Sequence, residues 1–299
     1  MIKIVKDYKD AILLTHAGVF HPDEVMATAI IDILYGEKIV GLYRAFNKVP
    51  SDFEGIVYDI GGGEFDHHQK GGNGVRPNGI PYASCGLIWN KYAEIIINHF
   101  CLSLREDDIN SIKNAVDSAI LIGIDARDNG VFNCGEQYNS FTISDAISGF
   151  NPEWDSDKSS DHCFIEAVSF AKNILMRFIS RQVSVVKARY IVLNAINMSD
   201  EGIMILPKYV PWQGTLLKEE GRAAEEIKFC IFPSNRGGYN VQTIPVEIRS
   251  NEHRCDFPKE WWGDHEKTGV EGCTFVHNSG FMAACDSIWS AIELAKKAL

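Results

Sequence analysis

The sequence of 299 residues has no run of about 18 apolar residues, so no segment of it predicts a membrane-spanning helix. The apolar stretch within its opening MIKIVKDYKDAILLTH is short and quickly interrupted, and no small-residue cleavage pattern follows Ala11 to Leu14, which argues against a secretory signal. Paired cysteines are also missing. The eight cysteines (Cys85, Cys101, Cys134, Cys163, Cys230, Cys255, Cys273 and Cys285) are scattered, and the closest two, Cys273 and Cys285, stand twelve positions apart. Without a CxxC pattern there is no zinc knuckle, no redox motif and no disulfide scaffold, and the expectation is reduced thiols in a cytoplasmic protein with no membrane contact. Positive charge is scarce, with 29 basic against 40 acidic residues and a net charge of −11. Such a surface disfavours generic duplex binding. It leaves phosphate chemistry open, because bound divalent cations invert the field at one site. Internal repeats and low-complexity tracts are absent.

What is present describes an ordinary globular chain, 45% hydrophobic and 23% charged, long enough for one large domain or two of usual size. Residues 11–16 read as a short buried strand and 22–35 as a helix, with Pro22 in its first turn and Gly36 at its exit. Strands are predicted at 38–44 and 55–60, and helices at 84–97 and 106–122. This alternation argues for a parallel α/β sheet. One long helix is predicted over 162–190. Beyond it, predicted strands at 201–206, 226–232, 239–248 and 273–277 are separated by Gly, Pro and Asn turns, and 281–298 reads as a closing helix. The expected organisation is an N-terminal parallel-sheet domain over 1–160, a connecting helix over 161–190 and a smaller α+β domain over 191–299.

Chemistry concentrates in segments where strands give way to loops. His16-Ala-Gly-Val-Phe-His21-Pro-Asp23-Glu24 lies at the carboxyl end of the first predicted strand, where ligands of α/β sheets collect. His21 is the natural N-cap there and Asp23 falls in the first turn, so both could equally serve only to cap the helix. Asp59 ends the apolar run GIVY just before three glycines, a pattern that also makes turns. Asp66-His67-His68-Gln69 is more specific: adjacent imidazoles are expected to point apart, one to a metal and one to a substrate, with Asp66 orienting its neighbours. Asp125-Ala-Arg-Asp128-Asn-Gly130 closes the apolar run AILIGI, and only one of its two acids need be a ligand. His16, His21, Asp23, Asp59, His67 and Asp128 together make a mixed nitrogen and oxygen set. That set suits manganese or another first-row ion better than calcium, and the lack of thiolates argues against structural zinc. Three converging carboxylates would each cost on the order of several kcal/mol in desolvation, which two divalent cations would offset.

Taken together, THAGVFHPDE, YDIGGGEFDHHQ, NGIPYASCGLIWNKY, IDARDNGVF, VPWQ, YNVQTIPV and FVHNSGF resemble, in order and over nearly the whole chain, the melanocyte proliferating gene protein family. This is a branch of the DHH (Asp-His-His) phosphoesterase superfamily, with RecJ-type exonucleases and family II inorganic pyrophosphatases. The resemblance implies a DHH-type catalytic domain in which His16, His21 and Asp23 form the first metal-binding motif, Asp59 bridges, and His67 and Asp128 complete the set. It further implies that His68 touches substrate phosphate and that Asp59, His67 and His68 are the catalytic core, with Asp66 and Asp125 in support. The first motif, His-x4-His-x-Asp, is one residue longer than in the pyrophosphatases, and the Asp59-to-Asp66 tract is shorter than in many relatives. The second domain resembles the substrate-binding domain that follows DHH domains. His277 and Gly280 enter through the likeness of FVHNSGF to its substrate loop, and His277 also ends a predicted strand beside small residues. Arg236, Arg249 and Arg254 are candidate phosphate or carboxylate contacts.

Other features are read as structural. Trp261-Trp262 could stack on nucleobases but more simply fills a core, His99, His162, His253 and His265 match no motif, and Cys85 has no indicated partner to make it a nucleophile. The expected activity is two-metal hydrolysis of a phosphoester, with 3′-to-5′ exonuclease action on single-stranded RNA implied by the resemblance. Manganese is the expected ion, with magnesium or another first-row ion as alternatives, and a homo-oligomer stays open. Alternatives are a phosphohydrolase for a small nucleotide or pyrophosphate, and a non-catalytic metal-stabilised binding protein.

Overall fold

A strand covered on both faces needs apolar residues at consecutive positions, and Leu13 and Leu14 are both fully buried. They belong to a parallel sheet of β1 (Ile2–Ile4), β2 (Leu13–His16), β3 (Val40–Ala45) and β4 (Ile56–Val57), in the order β1-β3-β2-β4. The structure, a computed structural model, describes residues 1–131 and 141–299; Cys134 and Phe132, the last residue of IDARDNGVF, lie outside them. Strand β2 is interior to the sheet, and its carboxyl end delivers His16 to the edge of the core. The three-residue β1 escapes a hydropathy reading because Lys3 interrupts it.

Helix α1 (Pro22–Tyr35) begins where the sequence predicts, with His21 at the N-cap and Pro22 at N1. Its first turns are buried all round and pack on α2 (Ser84–Phe100). Helix α3 (Glu106–Val116) runs through a π-helical stretch at Asp117–Leu121 into α4 (Ile122–Asp128). The helix expected to end at 122 therefore continues to Asp128 and carries both Asp125 and Asp128. Short α5 (Ile143–Ser148) precedes the 38-residue α6 (Ser160–Asn197), longer at both ends than expected. The chain divides inside α6 into two compact units, Met1–Val183 and Ser184–Leu299.

The second unit contains β5 (Ile203–Ile205), α7 (Gln213–Leu216), α8 (Arg222–Glu226), β6 (Phe229–Pro233), β7 (Tyr239–Thr243), β8 (Cys273–Val276), β9 (Met282–Cys285) and α9 (Ile288–Ala298). Its five-stranded sheet has the order β5-β6-β7-β9-β8, with β5 and β6 parallel and the other pairs antiparallel. Both faces are used. Phe229 and Ile231 join one core with Trp261 and Leu294, whereas Cys230 and Phe232 join the other with Val192 and Trp212. The period of two in β6 thus serves two cores. One expectation is corrected here: the helix predicted over 281–298 is β9 followed by α9. Met282 and Ala283 pair with Gln242 and Val241 of β7, and this pairing overrides the helical preference of the alanines, while Ser287 caps α9 by accepting from the Ser290 N–H. Strand β7 ends before Pro245, which has no N–H for the ladder. Among the described residues no helix is long and apolar enough to cross a membrane.

Candidate metal centre

The site begins at the β2–α1 turn. The Glu24 carboxylate accepts from the His21 N–H at 2.8 and 2.9 Å, the reciprocal half of a capping box, although Glu24 is fully buried. It also faces His16, whose Nε2 lies 2.9 Å from Glu24 Oε1 and 3.3 Å from Asp59 Oδ2. Burial opposes a charge on His16, but Asp59 and Glu24 outweigh it and raise the imidazole to about 10. Burial in turn raises the Glu24 carboxyl. The turn is held from β3: Arg44 donates to the carbonyls of His16 (3.3 Å) and Gly18 (3.0 Å), pairs with Asp161 at 2.7 Å and lies 4.4 Å from the Phe164 ring centre.

Asp59 follows β4 with φ of 57°, a left-handed conformation that costs on the order of 1–3 kcal/mol outside glycine, less for Asp than for most residues. Its N–H donates to the Phe65 carbonyl at 3.1 Å and closes the glycine loop. The loop returns Asp66, whose carboxylate accepts from the N–H groups of Gly62 (2.6 Å) and His68 (2.9 Å) and sits 3.0 Å from His68 Nδ1. Burial works against that charge, yet those donors keep the Asp66 carboxyl below its usual range. The two imidazoles do not point apart as expected. Their ring centroids lie 4.0 Å from each other, because Asp66 turns His68 back toward Asp59 Oδ1, 3.3 Å away. They differ in exposure instead: the His67 side chain is 5% exposed and that of His68 is 55%. His67 Nε2 is 2.7 Å from Asp128 Oδ2, and this contact, against burial, raises the His67 imidazole.

The acids of α4 separate. Asp128 faces His67, while the fully buried Asp125 lies 2.7 Å from Arg76 Nη1 and accepts from the Cys85 thiol at 3.1 Å. Arg76 also makes a bidentate pair with Asp117 in the π-helical stretch, at 2.9 and 2.6 Å. Asp23 leans the other way from His21. Its carboxylate accepts from the N–H groups of Ser84 (2.9 Å) and Cys85 (2.7 Å), capping α2. Burial, then the charges of Asp59, Asp128 and Asp125, raise the Asp23 carboxyl well above its ordinary range.

Among the described residues three groups have donor atoms within 4.8 Å of one another: His16, His21, Glu24 and Asp59; Asp59, His67, His68 and Asp128; and Asp23, Cys85 and Asp125. Asp59 is common to the first two. The first two groups fit cations chemically as well as geometrically, since His67 Nδ1 is buried without a hydrogen-bond partner and Asp59 Oδ2 meets only the His16 imidazole, at 3.3 Å. The third is already engaged by Arg76 and the α2 amides. Beside the centre, a cavity of about 300 Å³ is bordered by His21, Arg127, Asp128 and Ser144.

The expected substrate residues of the second unit are placed as follows. Arg236 is exposed on the β6–β7 turn. Arg254 donates through Nη1 to the carbonyls of Ala224 (2.6 Å) and Ile227 (3.1 Å), finishing α8, and burial lowers its guanidinium. Arg249 has φ of 68° and borders a cavity of about 340 Å³ with His253 and Ser279. His277 opens the β8–β9 turn, where Nδ1 accepts from the Ser279 N–H at 3.1 Å. Gly280, at φ of 65°, sits where a Cβ would strike the Trp262 indole. Four residues of the centre and its supports, Glu24, Arg44, Arg76 and Arg127, fall outside the sequence motifs' ligand set. Glu24 is signalled by its N3 place after an N-cap, and Arg127 by lying between two marked acids; the two buried arginines carry no sequence signal.

The family model MYG1_exonuc, described as "Uncharacterised protein family (UPF0160)", matches residues 12–299. The chain is similar to "MYG1 protein YER156C" of Saccharomyces cerevisiae, with 30% identity covering 96% of this chain and 95% of that one. It is similar to "MYG1 protein C694.04c" of Schizosaccharomyces pombe at 28%, covering 96% and 97%, and to "MYG1 exonuclease" of Homo sapiens at 25%, covering 95% and 85%. No solved structure matches.

Proposed function

The chain belongs to the MYG1_exonuc family, and from that membership we propose that it is a two-metal-dependent phosphoester hydrolase acting as a 3′-to-5′ exonuclease on RNA. The observation that carries this reading is Asp59, one buried carboxylate common to two adjoining sets of nitrogen and oxygen donors. The relatives named "MYG1 exonuclease" support a nuclease over other hydrolases.

In this reading His16, His21, Glu24 and Asp59 would hold one divalent cation and Asp59, His67 and Asp128 the second, with manganese the preferred ion; Asp23, expected as a ligand, is turned to the α2 amides and Glu24 stands in its place. Such cations, when bound, acidify water and neutralise charge on the leaving oxygen. The chain's own residues orient the reactants. Asp66 holds the exposed His68 ring beside Asp59, where in this reading it meets the scissile phosphate, and Asp23 anchors the α2 terminus through the amides of Ser84 and Cys85. Arg127 borders the adjoining cavity, and in this reading its guanidinium receives a second phosphate.

A 5′-labelled single-stranded RNA of ten to twenty residues, its DNA counterpart, mononucleotides and pyrophosphate, each with manganese, test the proposal. Progressive shortening of the labelled RNA from its 3′ end is expected. Phosphate release from mononucleotides or pyrophosphate without any ladder would instead support a small-molecule phosphohydrolase, the reading favoured by the net charge of −11. Arg127 gives a second check. It also pairs with Asp145 at 2.5 Å on the surface, so its removal should leave the fold intact. Arg127→Ala is expected to lower kcat/KM about 10- to 100-fold, the worth of one charge-assisted contact of roughly 1.5–3 kcal/mol, with an unchanged melting temperature.

A further inference from the structure

The two cysteines closest in sequence are also neighbours in the fold, outside the metal centre. Cys273 of β8 and Cys285 of β9 are register partners in an antiparallel ladder, just outside an irregularity of β8 between Cys273 and Phe275. The Asp286 N–H donates to the Gly272 carbonyl at 2.9 Å, whereas the Cys273 N–H turns away to Val270. That flanking bond marks Cys273 and Cys285 as a non-hydrogen-bonded pair, in which Cα atoms stand about 4.5 Å apart and side chains approach most closely. A disulfide spans Cα separations of roughly 4.4–6.8 Å, so one fits here without moving either strand out of register. The two side chains are not bonded to each other in the structure, and both face the same core as Phe257 and Ala291.

We propose that Cys273 and Cys285 form a reversible oxidation site, a dithiol that hydrogen peroxide converts to a cross-strand disulfide at the open end of the β8–β9 hairpin. The chemistry balances without a further reactant. The Cys273 thiolate attacks one peroxide oxygen; the S–O bond forms as the O–O bond breaks, and the leaving hydroxide takes a proton to become water. Sulfur is oxidised by two electrons and peroxide reduced by two. Cys285 Sγ then attacks Cys273 Sγ, forming S–S and breaking S–O, and its proton leaves with the departing oxygen as a second water. The surroundings favour Cys273 as the attacking sulfur. Hydrogen bonding from Cys285, opposed by burial and aided by Thr268, holds the Cys273 thiol below the usual range, and the same contact raises Cys285.

Access also favours Cys273. It is 8% exposed against 2% for Cys285, and β8 is the edge strand, so a local opening breaks only one ladder. The bond would enclose the turn from His277 to Gly280 in a closed covalent loop.

The test exposes the full folded chain to hydrogen peroxide, blocks remaining thiols with N-ethylmaleimide and maps disulfides by mass spectrometry of a non-reducing digest. The expected result is a Cys273–Cys285 peptide, two hydrogens lighter than its reduced parts, as the main disulfide, disappearing with dithiothreitol. In Cys285→Ala, dimedone should trap a sulfenic acid on Cys273. Reduced Cys273 and Cys285 in a native chain whose exposed methionines have been oxidised would overturn the proposal. So would a cross-link that forms only in urea, since the thiols would then meet only after unfolding.

Discussion

If the two-cation reading holds, Asp59→Asn is expected to abolish manganese-dependent hydrolysis and, in the same variant, to remove the rise in melting temperature expected when manganese is added. Asn is nearly isosteric with Asp and tolerates the left-handed backbone at this position, so the loop from Gly61 to Phe65 should keep its shape. What changes is the shared anionic donor. Partners that merely orient metal ligands are worth about 10–100-fold when lost; a ligand common to both donor sets should exceed that. Without metal, the melting temperature should move little. The Asp59 carboxylate repels Asp23 and Glu24 and attracts His16 and His67, and losing it removes both effects.

The metal dependence of stability is the more diagnostic half. A cation that binds only the folded chain adds about 2.7 kcal/mol at a hundred times its dissociation constant, which is roughly 5–10 °C for a domain of this size. Thermal melts of wild type and variant across a manganese titration measure it. The wild type should climb with concentration and Asp59→Asn should stay nearly flat. An equal climb in both would show that the cation binds elsewhere, and retained turnover would remove Asp59 from the chemistry.

The parts legible in the sequence are those decided by local rules. Two consecutive leucines ahead of His16, followed by His21 and Pro22, specify a buried strand, a turn and a capped helix without reference to the rest of the chain, and β2 and α1 stand where those rules put them. The same rules place Asp59 at a strand end before glycines. What is not legible is set by partners distant in sequence. Asp125 and Asp128 look alike on paper, and their division of labour depends on Arg76 and His67, which reach them from other segments. Likewise β9 cannot be told from a helix start, because its identity comes from β7 and β8 on either side. His68 departs from expectation for a smaller reason: adjacent side chains diverge in a strand, but Asp66 bends the backbone here and gathers both rings.

Arg76 shows how much of the centre rests on a residue with no motif. Its side chain is 3% exposed, it stacks 4.1 Å from the Tyr82 ring centre, and its charge is divided between Asp117 and Asp125. Asp125 in turn presses on α2 so closely that Gly86 has no room for a Cβ. Removing the cation would leave a fully buried carboxylate unpaired at the junction of α2 and α4. Arg76→Met, which keeps the length and apolar stem, is therefore expected to destabilise the first unit by about 3–5 kcal/mol, the usual cost of breaking a buried pair from one side. Chemical denaturation of the full chain measures this. Adding Asp125→Asn should recover part of the loss, because the neutral amide still accepts from the Cys85 thiol and leaves no buried charge. Near-wild-type stability in Arg76→Met would mean that water replaces the guanidinium, and the packing of α4 against α2 would then have to hold Asp128 toward His67 by itself.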